Sequence, residues 1–247
     1  MRRLACSSSF FETDMGWLSL FPVGVETHCL RLYRVIQWCL MYLNFTNIRC
    51  VVFDFGFTLS SDLYFTLAPP NYPQWRTIIQ EIIFDQKPIV NAWMRGELTL
   101  SDIAAIVGTH IDLPVPVIVE TMQQGCRTMR FNPVVWEFAC AQRGQGRKTA
   151  LVTANMDVFT NVVVPAHRLD QVFDVILNTA DYHDLRKERL WDRAFAMLGS
   201  GIDYGNSLLI EDGSKEPALF RARGGYAYQY ENDDSLHAWL QAHNWQA

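Results

Sequence analysis

The sequence predicts an α/β protein with a doubly wound, parallel-sheet, Rossmann-like core and an α-helical insertion after the first strand. Three observations predict it. Short apolar runs such as Val51-Val52-Phe53 and Leu151-Val152 have the unbroken apolar character of strands buried on both faces. From Asn132 onward such runs alternate with helical periodicity, the pattern of a parallel sheet covered by crossover helices. Between them, residues 62–130 read as mainly helical and are punctuated by Pro69, Pro70, Pro73, Pro88, Pro114 and Pro116.

Taken in order, Arg49–Phe53 is a short buried strand ending at Asp54. Trp75–Phe84 is apolar-periodic, Met94–Leu98 suits a turn between helices, and Thr99 or Ser101 is placed to cap a helix through Ile106. Pro116–Met129 supplies a further helix. Asn132-Pro133 opens a helix through Gln142, with proline at its first position, where no N–H is needed. Thr149–Thr153 is a second strand, followed by a helix near Val158–Leu169 and a strand over Val172–Leu177. Arg189–Leu198 is helical and stops at Gly199; Asn206–Ile210 is a strand, Glu216–Arg223 a helix, Gly225–Tyr230 a strand and Asp234–Ala242 a closing helix.

The bulk composition narrows function only broadly. The chain has 247 residues, 49% hydrophobic and 19% charged, which suits one α/β domain with an insertion or two small domains. A net charge of −5 without a long basic run argues against nucleic acid as a partner. Cys6, Cys29, Cys39, Cys50, Cys126 and Cys140 form no CxxC pair and no zinc spacing, as expected of small buried hydrophobes in a reducing cytoplasm. Oligomeric state is not legible.

Residues 1–45 read as an extension. The basic start lacks the apolar core of a signal peptide, and Thr27–Leu43 is apolar but interrupted by Arg31, Arg34 and Gln37, so no clear membrane segment is expected. Three readings stand: a helix packing on the domain, an interfacial helix, or sequence upstream of the true start, which the position of Met41 favours.

The stretch Val51-Val-Phe-Asp54-Phe-Gly56-Phe-Thr58-Leu59 contains Asp-Phe-Gly, the metal-holding triplet of kinases. A kinase also needs a glycine-rich loop, a strand lysine and a catalytic HRD loop upstream, and none precedes Asp54. The alternative is a nucleophile at the carboxyl end of a central strand, where parallel sheets bind ligands. That reading requires partners. Leu151-Val-Thr153-Ala-Asn155 offers the Thr153 hydroxyl and a helix N-terminus as phosphate donors at the next strand end. Lys187, one of four lysines, offers a cation after the third strand. Glu211-Asp212 ends a later strand with two carboxylates, which repel each other and Asp54 unless a cation such as magnesium joins them.

With these four motifs in order, residues 48 to 240 resemble the haloacid dehalogenase (HAD) superfamily, whose signatures are D-x-D-x-[TV], a strand ending in Ser or Thr, a Lys, and a strand ending in acids. The resemblance implies a core of residues 46–61 and 131–247 with a small helical cap over 62–130. It implies that Asp54 attacks phosphorus and forms an aspartyl-phosphate, that Thr153, Ala154 and Lys187 hold the phosphoryl group, and that Asp54, Asp212 and the Gly56 carbonyl bind Mg2+. Glu211 either assists directly or supports the ligands, and Glu216, one helical turn on, orients Lys187 or metal-bound water. Two departures stand out. Gly56 replaces the second Asp, the usual general acid and base, whose help is worth about 10²–10⁴ in rate. Glu188 follows Lys187 where Pro is commoner.

The expected activity is therefore a magnesium-dependent phosphatase acting on a small phosphorylated metabolite. The D-x-G form, shared by a family type acting on sugar 1-phosphates, suggests a sugar phosphate. A haloacid dehalogenase and a non-catalytic binder of a phosphorylated ligand or partner are the alternatives. His183 is a surface-loop histidine or a substitute base, and Tyr64, Trp93 and Arg95 either line the substrate side of the cap or pack.

Overall fold

The computed structural model describes residues 47–245. The readings of residues 1–45, including Cys6, Cys29 and Cys39, lie outside the described residues. Five parallel strands form one sheet in the order β3-β2-β1-β4-β5: β1 Cys50–Phe53, β2 Lys148–Thr153, β3 Val175–Asn178, β4 Ser207–Glu211 and β5 Tyr226–Gln229. All four residues of β1 are fully buried, because this strand lies mid-sheet with helices on both faces. Chain order runs outward from β1 to β3, then crosses back over β1 to β4. The carboxyl ends of β1 and β4 therefore flank the switch point, where open α/β sheets bind ligands.

Between β1 and β2 the chain is helical, as the sequence predicts. The insertion contains α1 (Trp75–Ile79), which continues as a π turn through Phe84, then α2 (Lys87–Met94), α3 (Leu100–Gly108) and α4 (Val115–Arg127); α5 (Pro133–Gly144) leads into β2. Of the two cap candidates, Thr99 caps α3: its hydroxyl accepts from the Asp102 N–H, while the Asp102 carboxylate accepts from the Thr99 N–H, a reciprocal capping box.

The insertion is tied to the sheet by specific bonds. Asp157 accepts from Trp93 Nε1 (2.6 Å) and from the Leu100 N–H (3.1 Å), and Thr179 donates to the Met94 carbonyl (3.0 Å). Gly96, at φ +68°, makes the turn after α2, and a Cβ there would collide with the Ala180 carbonyl oxygen, so both conformation and contact demand glycine.

Two elements depart from expectation. The helix expected near Val158–Leu169 is present as one helical run, but it carries a π turn (Phe159–Val163) before α6 (Val164–His167) and ends in a 3-10 turn (Leu169–Gln171). Pro165 lacks the N–H that a continuous α-helix would use, and the turns around it adjust their hydrogen bonding. That turn also consumes the start of the expected strand: the Val172 and Phe173 N–H groups bond to the Leu169 carbonyl, so β3 begins only at Val175. Downstream lie α7 (Thr179–Tyr182), α8 (Leu190–Leu198), α9 (Lys215–Ala222) and α10 (Asp233–Ala242). Cys50, Cys126 and Cys140 are free thiols, and burial pushes Cys50 and Cys126 up to about 12, which makes them inert packing groups. Among the described residues no helix is long and apolar enough to cross a membrane.

Candidate active site

Asp54 follows the last residue of β1, and its N–H donates to the Ile210 carbonyl at 3.0 Å, so the sheet ladder itself sets its position beside β4. The side chain is almost fully buried, and its Oδ1 has no hydrogen-bond partner. Beyond it the chain turns sharply: the Ser60 N–H donates to the Phe55 carbonyl (2.9 Å) and the Phe57 N–H to the Ser60 carbonyl (2.8 Å), with Phe57 at φ +54°. A bulky residue there is strained. The turn is anchored from two sides. Asn132 Nδ2 donates to the Thr58 carbonyl at 2.6 Å. The Thr58 hydroxyl donates to Asp212 Oδ1 (3.3 Å) and accepts from the Asp212 N–H (3.0 Å), tying the loops after β1 and β4 together.

Lys187 reaches this point from the loop after α7. Its Nζ lies 2.9 Å from Asp54 Oδ2 and 2.6 Å from Glu211 Oε2, and all three side chains are nearly excluded from solvent. The Glu211 contact is a charge contact rather than an aligned hydrogen bond, since Oε2 lacks a partner of hydrogen-bond geometry. Asp184 shapes the approach by accepting from Arg186 Nε (2.8 Å), from the Arg186 N–H (3.1 Å) and from Arg189 Nη1 (2.9 Å). This clamp draws the flanking arginines outward, while Lys187 opens a short 3-10 turn (Lys187–Arg189) and points inward. The Lys-Glu sequence thus places the ammonium without the proline that usually follows.

The charges are strongly coupled. Burial and the neighbouring Asp54 push the Glu211 carboxyl up to about 8, with Lys187 restraining the rise. Burial alone would lower the Lys187 pKa, but Asp54 and Glu211 more than offset it and hold the ammonium above its usual range. Asp54, Glu211 and Asp212 each bring a carboxylate oxygen within 4.8 Å of the others. Once all are ionised, these three carboxylates outnumber the lysine that pairs with Asp54 and Glu211, and the excess negative charge sits where those two are buried. That excess and the orphaned Asp54 Oδ1 fit a hard divalent cation.

Of the other sequence-predicted residues, Thr153 ends β2 and is buried, and Ala154 after it is half-buried. The helix N-terminus expected there is not free. The Asn155 N–H donates to Asn178 Oδ1 (3.0 Å) and Thr179 Oγ1 (3.2 Å), and the Met156 N–H donates to Asn155 Oδ1. Side chains from β3 and α7 consume those donors, which narrows the loop's offering to Thr153 and Ala154. Gly56 lies two residues after Asp54, and an added Cβ there would meet nothing within 4 Å. Glu211, rather than Glu216, touches Lys187; the Glu216 carboxylate lies over Gly213 and 3.8 Å from Lys215.

His183 is a docking residue: it is exposed at φ +55°, with Nδ1 2.8 Å from the Arg95 carbonyl. Trp93 is buried, stacked on Phe65 with rings 5.6 Å apart, and Arg95 pairs with Glu97. Tyr64 does line a cavity, and its hydroxyl is buried without a partner. Thr58, Asn132 and Asp184 escaped the sequence reading as positioning groups. Thr58 had a signal in its place at the end of the first motif; Asn132 and Asp184 had none, because their partners come from distant or irregular segments.

No protein-family model matches the sequence, and no curated protein matches it. Solved structures do match the fold. A predicted HAD-like family hydrolase from Porphyromonas gingivalis is 15% identical, with 78% of this chain and 98% of that chain covered at a TM-score of 0.53. A HAD family enzyme from Bacteroides thetaiotaomicron, crystallised with magnesium and inorganic phosphate, is 10% identical over 75% of this chain and 95% of that one, at 0.54. L-2-haloacid dehalogenase from Xanthobacter autotrophicus, with chloropropionic acid covalently bound, is 13% identical over 81% and 85%, at 0.52. The chain has the HAD-like, Rossmann-type α/β fold.

Proposed function

We propose that this protein is a magnesium-dependent phosphomonoesterase of HAD type, with residues 62–130 as its cap and 46–61 with 131–247 as its core. The observation that carries the reading is the buried constellation at the β1 and β4 ends: Asp54 with an unpartnered Oδ1, Lys187 at 2.9 Å and carboxylates converging from β4. In this reading Asp54 attacks phosphorus, the ester oxygen leaves, and water later hydrolyses the aspartyl-phosphate. Lys187, Thr153 and Ala154 hold the phosphoryl oxygens, with the lysine also orienting Asp54. Asp54, Asp212 and the Gly56 carbonyl would hold magnesium, with Glu211 and Glu216 beside them. When bound, the metal offsets charge between the carboxylates and the incoming phosphate. The bound magnesium and phosphate of the Bacteroides enzyme support this reading, and the free thiols suit a cytoplasmic location.

A dehalogenase needs no metal, and the convergent acids count against that alternative. Gly56 favours a second reading, a nearly inactive binder of phosphorylated ligands, because the usual acid and base is missing. The test is phosphate release from a panel of phosphomonoesters, sugar 1-phosphates included, with magnesium, with EDTA and with Asp54→Asn. Release that needs magnesium and falls at least about 10³-fold in the variant is expected. Well-folded protein that binds magnesium yet releases nothing would move the conclusion to the binder.

A further inference from the structure

A cavity of about 300 Å³ opens beside Gly56, lined by Phe57, Leu63, Tyr64, Phe65, Ile79 and Phe84 among others. Phe55 and Gly56, the two residues after Asp54, form part of its wall, so the loop that follows the nucleophile is also a wall of the cavity. At Gly56 the wall is bare: an added Cβ would touch nothing. The volume is at the small end of ligand pockets, enough for one ring or a short chain. Phe57 and Leu63 are 57% and 44% exposed, so large apolar side chains at this cavity face water.

The wall is mostly apolar, and three of its six polar side chains are committed elsewhere, while Thr66 and Arg76 stand at its exposed edge. Ser60 donates to the Arg130 carbonyl (2.8 Å), Asp62 is held by Arg130 (2.9 Å), and Gln80 donates to Asp85 (2.7 Å). A polyhydroxylated sugar would find polar partners only at that edge and would set its remaining hydroxyls against rings and aliphatic chains, which is costly. An apolar group would instead cover the exposed phenylalanine ring and leucine. The bare Gly56 points the same way. With no acid at that position, an oxygen that departs as a stabilised anion, as an aryl oxygen does, needs the least protonation.

We propose that the substrate is an aromatic phosphomonoester whose ring occupies this cavity while its phosphate meets Asp54 and Lys187. The inference rests on the phosphatase reading, but its test is separable from it. Intrinsic leaving-group reactivity must be held level, so benzyl phosphate and glucose 6-phosphate, both primary alkyl esters, are compared with magnesium present. The expected kcat/KM ratio favours benzyl by at least about tenfold, given roughly fourfold per buried methylene. In Leu63→Asp, which sets a charge on the cavity wall at a half-exposed position, that ratio is expected to fall at least about threefold. Equal rates, or preference for the sugar ester, overturn the proposal. If neither ester turns over, calorimetry decides the cavity's preference, and the phosphatase reading stands or falls separately on the phosphomonoester panel. Benzylphosphonate bound at least about tenfold more tightly than 2-hydroxyethylphosphonate supports it, whereas equal or undetectable binding of the two overturns it.

Discussion

The rim of the sheet and the cavity beside it are neighbours built on opposite principles. At the rim, Asp54, Thr153 and Glu211 stand at the ends of paired strands, and their spacing follows from strand register: Phe53 pairs with both Leu151 and Ile210. The rim is polar, buried and electrostatically tense, with three carboxylates against one lysine. The cavity is apolar and open, and its wall comes from an irregular loop and the first helical segment of the insertion. The difference separates chemistry from selection. A preorganised charge cluster must be rigid, since a displaced oxygen forfeits its worth. A leaving-group pocket needs only volume and apolar area, which loops can supply.

The severest way to break the rim is to remove its cation. Lys187→Met leaves Asp54 and Glu211 buried together without a counter-charge, and losing one partner of a buried pair costs about 3–5 kcal/mol. Urea denaturation of the metal-free protein should show a loss in that range at pH 8. At pH 5 the loss should be smaller, because Glu211 is then protonated. An equal loss at both values would mean that the lysine is not paired with a titrating carboxylate.

The boundary between the two regions can be sharpened at Gly56. Open space around its Cβ allows Gly56→Asp to fold without rearrangement, returning a carboxyl beside the nucleophile. Turnover of alkyl phosphates should rise by up to about 10²-fold, the low end of acid–base assistance, with a smaller gain for aryl esters. The ratio of the two gains, read from steady-state kinetics, checks whether the absent acid is what favours the better leaving group. A fall in both rates would assign position 56 to ligand space instead.

The gentlest probe is pH. Glu211's folded pKa, about 8, lies above its ordinary value of 4.5, so the folded state binds this proton more tightly than the unfolded state does. The resulting stability is complete below about pH 4.5 and is lost as pH rises through 8. Thermal melts of the metal-free protein should therefore show a lower midpoint at pH 8 than at pH 5. Added magnesium should flatten that slope, because a cation favours the ionised carboxylates. A slope unchanged by Glu211→Gln would place its origin elsewhere.

Much of this was legible because local chemistry and global position coincide. Val51-Val52-Phe53 is apolar on both sides of the strand because β1 lies mid-sheet, and an ionisable residue directly after such a run has to sit at a strand end. Thr99 was readable as a cap because capping is decided within four residues. The helix expected over Val158–Leu169 formed, but its π turn was not legible because periodicity does not register how Pro165 redistributes backbone hydrogen bonds. The Ala154 loop looked like a free helix N-terminus because the groups that occupy its amides, Asn178 and Thr179, are more than twenty residues away.

The sequence by itself determined the strand order of appearance, the helical insertion and the candidate nucleophile, threonine, lysine and acids, since each is written in a few contiguous residues. Only the tertiary structure decided that Glu211 rather than Glu216 meets Lys187, that Thr58 and Asp212 lock two loops together, and that an apolar cavity opens where Gly56 has no side chain. Those outcomes depend on distances between segments as far apart as 154 residues in the chain. Such distances are set by how strands pair and helices pack, which no short stretch of sequence specifies alone.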